Sequence, residues 1–90
     1  MASTSPPSVD LHGLPPAQAM RRLAQALHAA RVQGREEILV ITGRGWGNRE
    51  QKPILRRQVG EWLRGPEGSR LGVTSVRVTS RGGALAVRLA

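Results

Sequence analysis

Residues 38–45 are Ile-Leu-Val-Ile-Thr-Gly-Arg-Gly, four apolar side chains followed directly by a glycine-rich segment. An unbroken apolar run of this length predicts a strand that is covered on both faces. The glycines that follow predict a flexible loop, because glycine adopts backbone conformations that other residues avoid. The stretch therefore predicts a buried strand with a loop at its carboxyl end.

Amphipathic helices are predicted on both sides of this strand. From Pro16 to Val32 the apolar residues recur at spacings of three and four, which indicates one buried helix face. Pro16 suits a first helical turn, and Gly34 suits the carboxyl end. A second helix is predicted from Pro53 to Arg64 and is ended by the Gly-Pro pair that follows.

Short strands are predicted at both ends of the chain. Residues 9–11 end one strand, and residues 73–79 and 84–89 form a pair joined by a hairpin turn at Arg81-Gly82-Gly83. The order β-α-β-α-β-β predicts an α/β (α+β) two-layer sandwich, a four-stranded mixed sheet packed against two helices.

Length and composition limit the classes of function. Ninety residues form one domain, which we place at residues 9–90 after a disordered tail at residues 1–8. Lys and Arg total 14 against 6 acidic residues, and this net charge of +8 favours a polyanionic partner. The chain has no Cys, which excludes disulfides and thiolate chemistry. We expect a cytoplasmic protein without a membrane partner, because no apolar stretch is long enough to span a bilayer.

Asp10 and His12 lie two residues apart at the end of the first strand. Alternate residues of a strand share a face, so the carboxylate and the imidazole are expected side by side. A neighbouring carboxylate orients an imidazole for general acid or base chemistry. The alternative is a solvated strand end at which His12 only closes a turn.

The glycine-rich loop is predicted to form the second part of the site, beside Asp10 and His12. Gly43 and Gly45 let the backbone approach a ligand with N–H groups free for phosphate oxygens, and Arg44 supplies positive charge. The alternative is an ordinary flexible connection. A Rossmann fingerprint is excluded because Asn48 replaces its third glycine, and the Gly-Lys-Ser/Thr of a Walker loop is absent.

Topology brings the two halves together. A strand-helix-strand crossover makes the first two strands parallel, so Asp10, His12 and the segment Thr42–Gly45 all emerge at one edge of the sheet. Open α/β sheets bind ligands at this edge.

Further candidates follow the loop. Trp46 is predicted either to stack on a base or to cap a small apolar patch. A basic cluster is predicted to contact the nucleic-acid backbone, and its members are Arg49, Lys52, Arg56 and Arg57. The spacing of Trp62 predicts a core residue, whereas His28 is predicted on the polar side of the first helix.

No cofactor is expected. With two His and no Cys, the chain offers no set of transition-metal ligands. A magnesium ion held by Asp10 and a substrate phosphate stays an alternative, but one carboxylate is a small ligand set.

Two motifs resemble those of Smr (small MutS-related) domains. Residues 9–14, Val-Asp-Leu-His-Gly-Leu, are similar to the L-D-x-H-G-L opening of the family, and residues 42–45 are similar to its H-G-x-G or T-G-x-G loop. The second helix and the glycine-started last strand also resemble the family, so the resemblance covers residues 9–89. The chain departs from the family pattern at Thr42, where many members have His, and in a shorter glycine turn before the last strand.

The resemblance implies a fold like the carboxyl-terminal domain of translation initiation factor 3. It also implies binding to DNA or RNA, with nicking endonuclease activity in some members and DNA repair as one setting. Carried over by position, Asp10, His12 and Arg44 are the implied catalytic residues. Thr42, Gly43 and Gly45 are then phosphate-binding residues. The alternative function is a binding adaptor that does not cut.

Overall fold

The computed structural model describes residues 7–43, 54–79 and 83–90. These residues form four strands and three helices. In chain order the elements are β1 (Ser8–Asp10), α1 (Pro16–Val32), β2 (Glu37–Ile41), α2 (Ile54–Arg64), α3 (Pro66–Arg70), β3 (Val73–Thr79) and β4 (Ala84–Leu89).

The strands form one mixed sheet in the order β1-β2-β4-β3. β1 runs parallel to β2, with Val9 opposite Val40, whereas β4 runs antiparallel to both β2 and β3. The parallel pair is joined through α1, as the crossover predicts. The predicted α+β fold and mixed sheet are confirmed.

Helices α1 and α2 pack against the sheet through their apolar faces. Leu23 and Leu27 of α1 and Val59 of α2 are fully buried in the core. From the sheet, the residues that join them are Val9, Ile38, Val40, Leu85, Val87 and Leu89. The bounds of α1 match the prediction, and Gly34 follows its end with a φ of +73°.

The prediction that β2 is covered on both faces is wrong. Its burial alternates: Val40 is fully buried, whereas Leu39 is half-buried. Val40 pairs with Leu85, a core residue, and Leu39 pairs with Ala86 on the other face of the sheet. Directly opposite residues share a face. A sheet in a two-layer fold has one face packed on helices and one that is less covered, which explains the alternation.

Both bounds of β1 differ from the prediction, because the strand ends at Asp10 and not at residue 11 and begins before residue 9. Ser8, which we placed in the tail, belongs to β1, and the Pro7 carbonyl accepts a hydrogen bond from the Leu39 N–H at 2.8 Å. Parallel pairing with β2 therefore extends the ordered structure to residues 7 and 8, which the composition assigns to the tail. Residues 1–6 and the predicted start of α2 at Pro53 lie outside the described residues, as do Arg81 and Gly82 of the predicted hairpin turn.

Helix α3 was not predicted. The Gly-Pro pair that ends α2 also begins this five-residue helix, because Pro66 takes a first-turn position where its missing N–H costs no hydrogen bond. Gly68 of α3 is buried. No helix of the described ranges is long and apolar enough to cross a membrane.

Candidate nucleic-acid site

The turn after β1 positions His12. One oxygen of Asp10, Oδ1, accepts a hydrogen bond from the His12 N–H at 3.0 Å, a local bond that aspartate favours in turns. The Leu14 N–H then donates to the Leu11 carbonyl at 3.2 Å. Gly13 lies within this turn at a φ of +76°, which L side chains rarely adopt. The sequence Asp-Leu-His-Gly therefore fixes the backbone on which the imidazole stands.

Asp10 and His12 are in side-chain contact, as predicted, although β1 ends at Asp10 and the contact forms in the turn that follows. The Nδ1 atom of His12 lies 2.5 Å from Asp10 Oδ1. The two side chains are 68% and 49% exposed for His12 and Asp10, respectively. When a carboxylate accepts the Nδ1–H of a neutral imidazole, the other nitrogen, Nε2, carries the free lone pair; in the protonated ring both nitrogens are donors. The exposed ring can therefore offer either an acceptor or a donor at Nε2.

Asp10 is held in its ionised form. The hydrogen bond from the His12 ring is the main cause that lowers the pKa of Asp10, followed by the bond from the His12 N–H. The charges of His12 and Arg22 lower this pKa further, and slight burial opposes the shift. At neutral pH the carboxylate is thus an anion that orients the ring.

Gly43 brings the second motif to the first. The Leu11 N–H donates to the Ile41 carbonyl at 2.7 Å, which holds the ends of β1 and β2 together. Gly43 has a φ of +79°, and a Cβ atom on it would lie 3.4 Å from the Cβ of His12. We call Asp10, His12 and Gly43 the site rim. The two motifs meet at the carboxyl ends of parallel strands, as topology predicts.

The expectation that Gly43 offers a free N–H group to phosphate is wrong. The N–H groups of Thr42 and Gly43 both donate to the Gly83 carbonyl, at 3.1 and 3.0 Å. Thr42 is itself buried, and its hydroxyl donates to the Gly43 carbonyl at 3.2 Å. These bonds tie the start of the loop to the start of β4. Sequence reasoning could not find them, because the acceptor lies forty residues further along the chain.

Much of the predicted loop lies outside the described residues. Its candidate members are Arg44, Gly45, Trp46, Arg49 and Lys52. Their proposed contacts with a phosphate or a base stay predictions.

The α2 candidates differ in exposure. Arg57 is exposed and donates to Glu61 at 3.4 Å, whereas Arg56 is half-buried. Their contact with a nucleic-acid backbone stays a prediction. Two other expectations are confirmed: Trp62 packs against the core, and His28 is exposed on α1.

Arg22 is a charged residue near the site rim that sequence reasoning missed. It lies with Leu14, Gln18, Arg21 and Gln25 around a shallow, open groove on α1. Its charge reaches Asp10. The signal was present in the sequence as polar residues at helical spacing, but only the fold shows which end of the sheet that helix face adjoins.

The described residues do not form a metal cluster. Within residues 7–43, 54–79 and 83–90, no three His, Asp or Glu side chains are grouped so that they could hold a metal ion.

Comparisons with known proteins agree with this geometry. The Smr domain family matches residues 9–90. The chain is similar to the Smr domain of Thermus thermophilus MutS2, with 31% identity, a TM-score of 0.75, and coverage of 93% of this chain and 98% of that one. It is also similar to the SMR domain of NEDD4-binding protein 2, with 26% identity, a TM-score of 0.65, and coverage of 100% and 92%. No curated protein matches the chain.

Proposed function

The chain belongs to the Smr domain family, and from that premise we propose that it binds nucleic acid at the site rim and nicks a phosphodiester there. Smr domains are generally nucleic-acid-binding. The net charge of +8 fits a polyanionic substrate. The proposal thus has two parts, binding and cutting, and the substrate of both is a DNA or RNA backbone.

One observation carries the catalytic part: an exposed imidazole is oriented by a carboxylate near the carboxyl ends of the parallel strands. Asp10 holds His12 through Nδ1, which leaves Nε2 for a reacting group. Positioned proton transfer of this kind contributes about 10²–10⁴-fold to a reaction rate. A structural turn would need only the bond from the His12 N–H to Asp10, and not the second bond to the ring.

The proposed reaction is hydrolysis. A water oxygen forms a bond to phosphorus while His12 Nε2 accepts the water proton, and one phosphorus–oxygen ester bond breaks. The leaving oxygen takes a proton from solvent, so that one fragment ends in a phosphate and the other in a hydroxyl. In the alternative assignment His12 protonates the leaving oxygen as a general acid. Arg44 would stabilise the negative charge that develops on the phosphoryl oxygens.

A cleavage assay tests the catalytic part. Purified protein is incubated with supercoiled plasmid and with structured RNA, with and without a chelator. His12→Ala is expected to lower the nicking rate by about 100-fold or more, and Asp10→Asn is expected to lower it as well. His28→Ala is the matched control, because it removes the other histidine from an exposed position. The catalytic assignment is wrong if neither substrate is cut, or if His12→Ala cuts as fast as the unaltered chain.

A second candidate is an adaptor that holds DNA or RNA without cutting it. The observation that favours it is the charge of the chain, which supports backbone binding whether or not a bond is broken. It predicts salt-sensitive binding, weakened by Arg44→Ala, together with intact plasmid and RNA in the cleavage assay. If no nucleic acid binds at modest salt, the remaining interpretation is that the chain is a basic protein-interaction domain.

A further inference from the structure

We propose that one face of α1 binds the sugar-phosphate backbone that flanks the bond held at His12. The residues of this face are Gln18, Arg21, Arg22 and Gln25, which we call the α1 stripe. The inference rests on the proposed function, because it extends the same nucleic-acid site, and it assigns to this helix a contact that the two family motifs do not include.

The α1 stripe is a continuous surface. Its four residues follow the spacing i, i+3, i+4, i+7, so they share one helix face. All four are exposed, and together with half-buried Leu14 they line the open groove. At 1.5 Å of rise per residue the stripe is about 10 Å long. Nucleotides of a stacked strand are spaced roughly 3.4 Å apart, so the stripe spans about three of them.

The α1 stripe carries two arginines and no acidic residue. Helix α1 carries three arginines and no acidic residue. In the part of the chain that the structure describes, Arg57, Arg70 and Arg88 each form an ion pair with a glutamate. No such pair involves Arg21 or Arg22 in that part of the chain. Guanidinium groups without a carboxylate partner are available for phosphate, which they match with two parallel hydrogen bonds.

The α1 stripe adjoins the site rim. Leu14, at one end of the groove, is two residues from His12 in the same turn. Arg22 is close enough to Asp10 for its charge to lower the pKa of that carboxyl group. A strand with one phosphate at His12 therefore meets the stripe with its neighbouring phosphates. Arginine and glutamine contacts to phosphate and sugar do not read bases, so this part of the binding is independent of sequence.

The test compares two double variants, one that removes two positive charges from the α1 stripe and one that removes two positive charges outside it. Arg21→Gln with Arg22→Gln is compared with Arg35→Gln and Arg70→Gln, which are exposed arginines outside the stripe. Glutamine is a good helix former, and circular dichroism checks that both double variants are folded. Binding to fluorescein-labelled single-stranded RNA, and to DNA of the same sequence, is measured by fluorescence anisotropy over a series of NaCl concentrations.

The expected readout is the salt dependence of binding. Each lost phosphate contact reduces the slope of log K against log salt by about 0.7 on a single strand, so the stripe variant should lose about 1.4. The control variant should keep the slope of the unaltered chain. If the unaltered chain binds neither probe, the proposed function and this inference both fail. If it binds, but the stripe variant keeps its slope or the control loses as much, the inference alone is overturned.

Discussion

Gly43 faces His12 across the ends of two parallel strands, at a distance where a Cβ atom on the glycine would lie 3.4 Å from the Cβ of the histidine. This contact joins the two sequence motifs through residues that are 31 positions apart in the chain. Because residue 43 has no side chain, the backbone at the end of β2 can lie close to the Cβ of His12.

Gly43→Ala is expected to lower both stability and nicking. The left-handed φ of +79° costs an L side chain about 1–2 kcal/mol, and the new methyl group would lie at the short end of van der Waals contact with the Cβ of His12, beside the proposed nicking site. Urea denaturation measures the first effect, and the plasmid assay measures the second.

Gly34→Ala separates these two effects. Gly34 has a similar φ of +73°, but nothing lies within 4 Å of an added Cβ. The variant should therefore lose a similar amount of stability and keep its nicking rate. Equal loss of nicking in both variants would show that backbone strain alone, and not the contact with His12, impairs the site.

Asp10→Asn is expected to change how stability depends on pH. Hydrogen bonds from His12 lower the pKa of Asp10 in the folded chain, so in acid the unfolded chain binds more protons than the folded one. The stabilisation is present above the ordinary aspartate pKa and is lost as the pH falls below about 4. Asp10→Asn should thus be less stable than the unaltered chain at neutral pH, and the difference should shrink in acid. Urea denaturation of both proteins at neutral pH and at a pH below about 4 checks this. A stability difference between them that is the same at both pH values would contradict it.

Leu27→Ala and Val32→Ala should differ strongly although both lie on α1. Leu27 is fully buried in the core, and its truncation should cost about 2–5 kcal/mol. Val32 is 73% exposed, so its truncation should change stability by no more than about 0.5 kcal/mol. Comparable urea midpoints for the two variants would mean that the helix does not pack through its Leu27 face.

The elements predicted most accurately from the sequence are those set by local periodicity. The bounds of α1, β3 and β4 agree with the prediction; α1 and β4 carry repeating apolar patterns, and β3 is rich in β-branched residues. The proximity of Asp10 and His12 was also predictable, although the structure makes their contact through the turn after β1, where the His12 N–H bonds to Asp10, and not through a strand that continues to His12.

The features that were missed depend on residues far apart in the chain. The N–H of Gly43 is occupied by the Gly83 carbonyl, and no local pattern connects those two glycines. The effect of the Arg22 charge on Asp10 depends on how α1 packs after the turn that follows β1, which no local pattern shows. Helix α3 has five residues, which is too short to show a helical period, and its Gly-Pro start resembles a simple stop signal.

Gly68→Ala tests whether α3 packs as closely as the structure indicates. A Cβ atom on Gly68 would overlap the carbonyl oxygen of Leu63 on α2, so one of the two helices must move. Overpacking of this kind costs about 1–3 kcal/mol, and urea denaturation should show that loss. Ser69→Ala is the control, because Ser69 is exposed on the same helix and its truncation should change stability by less than about 0.5 kcal/mol. If both variants unfold at the same urea concentration, α3 does not pack on α2 through Gly68, and the space that an alanine needs is already present.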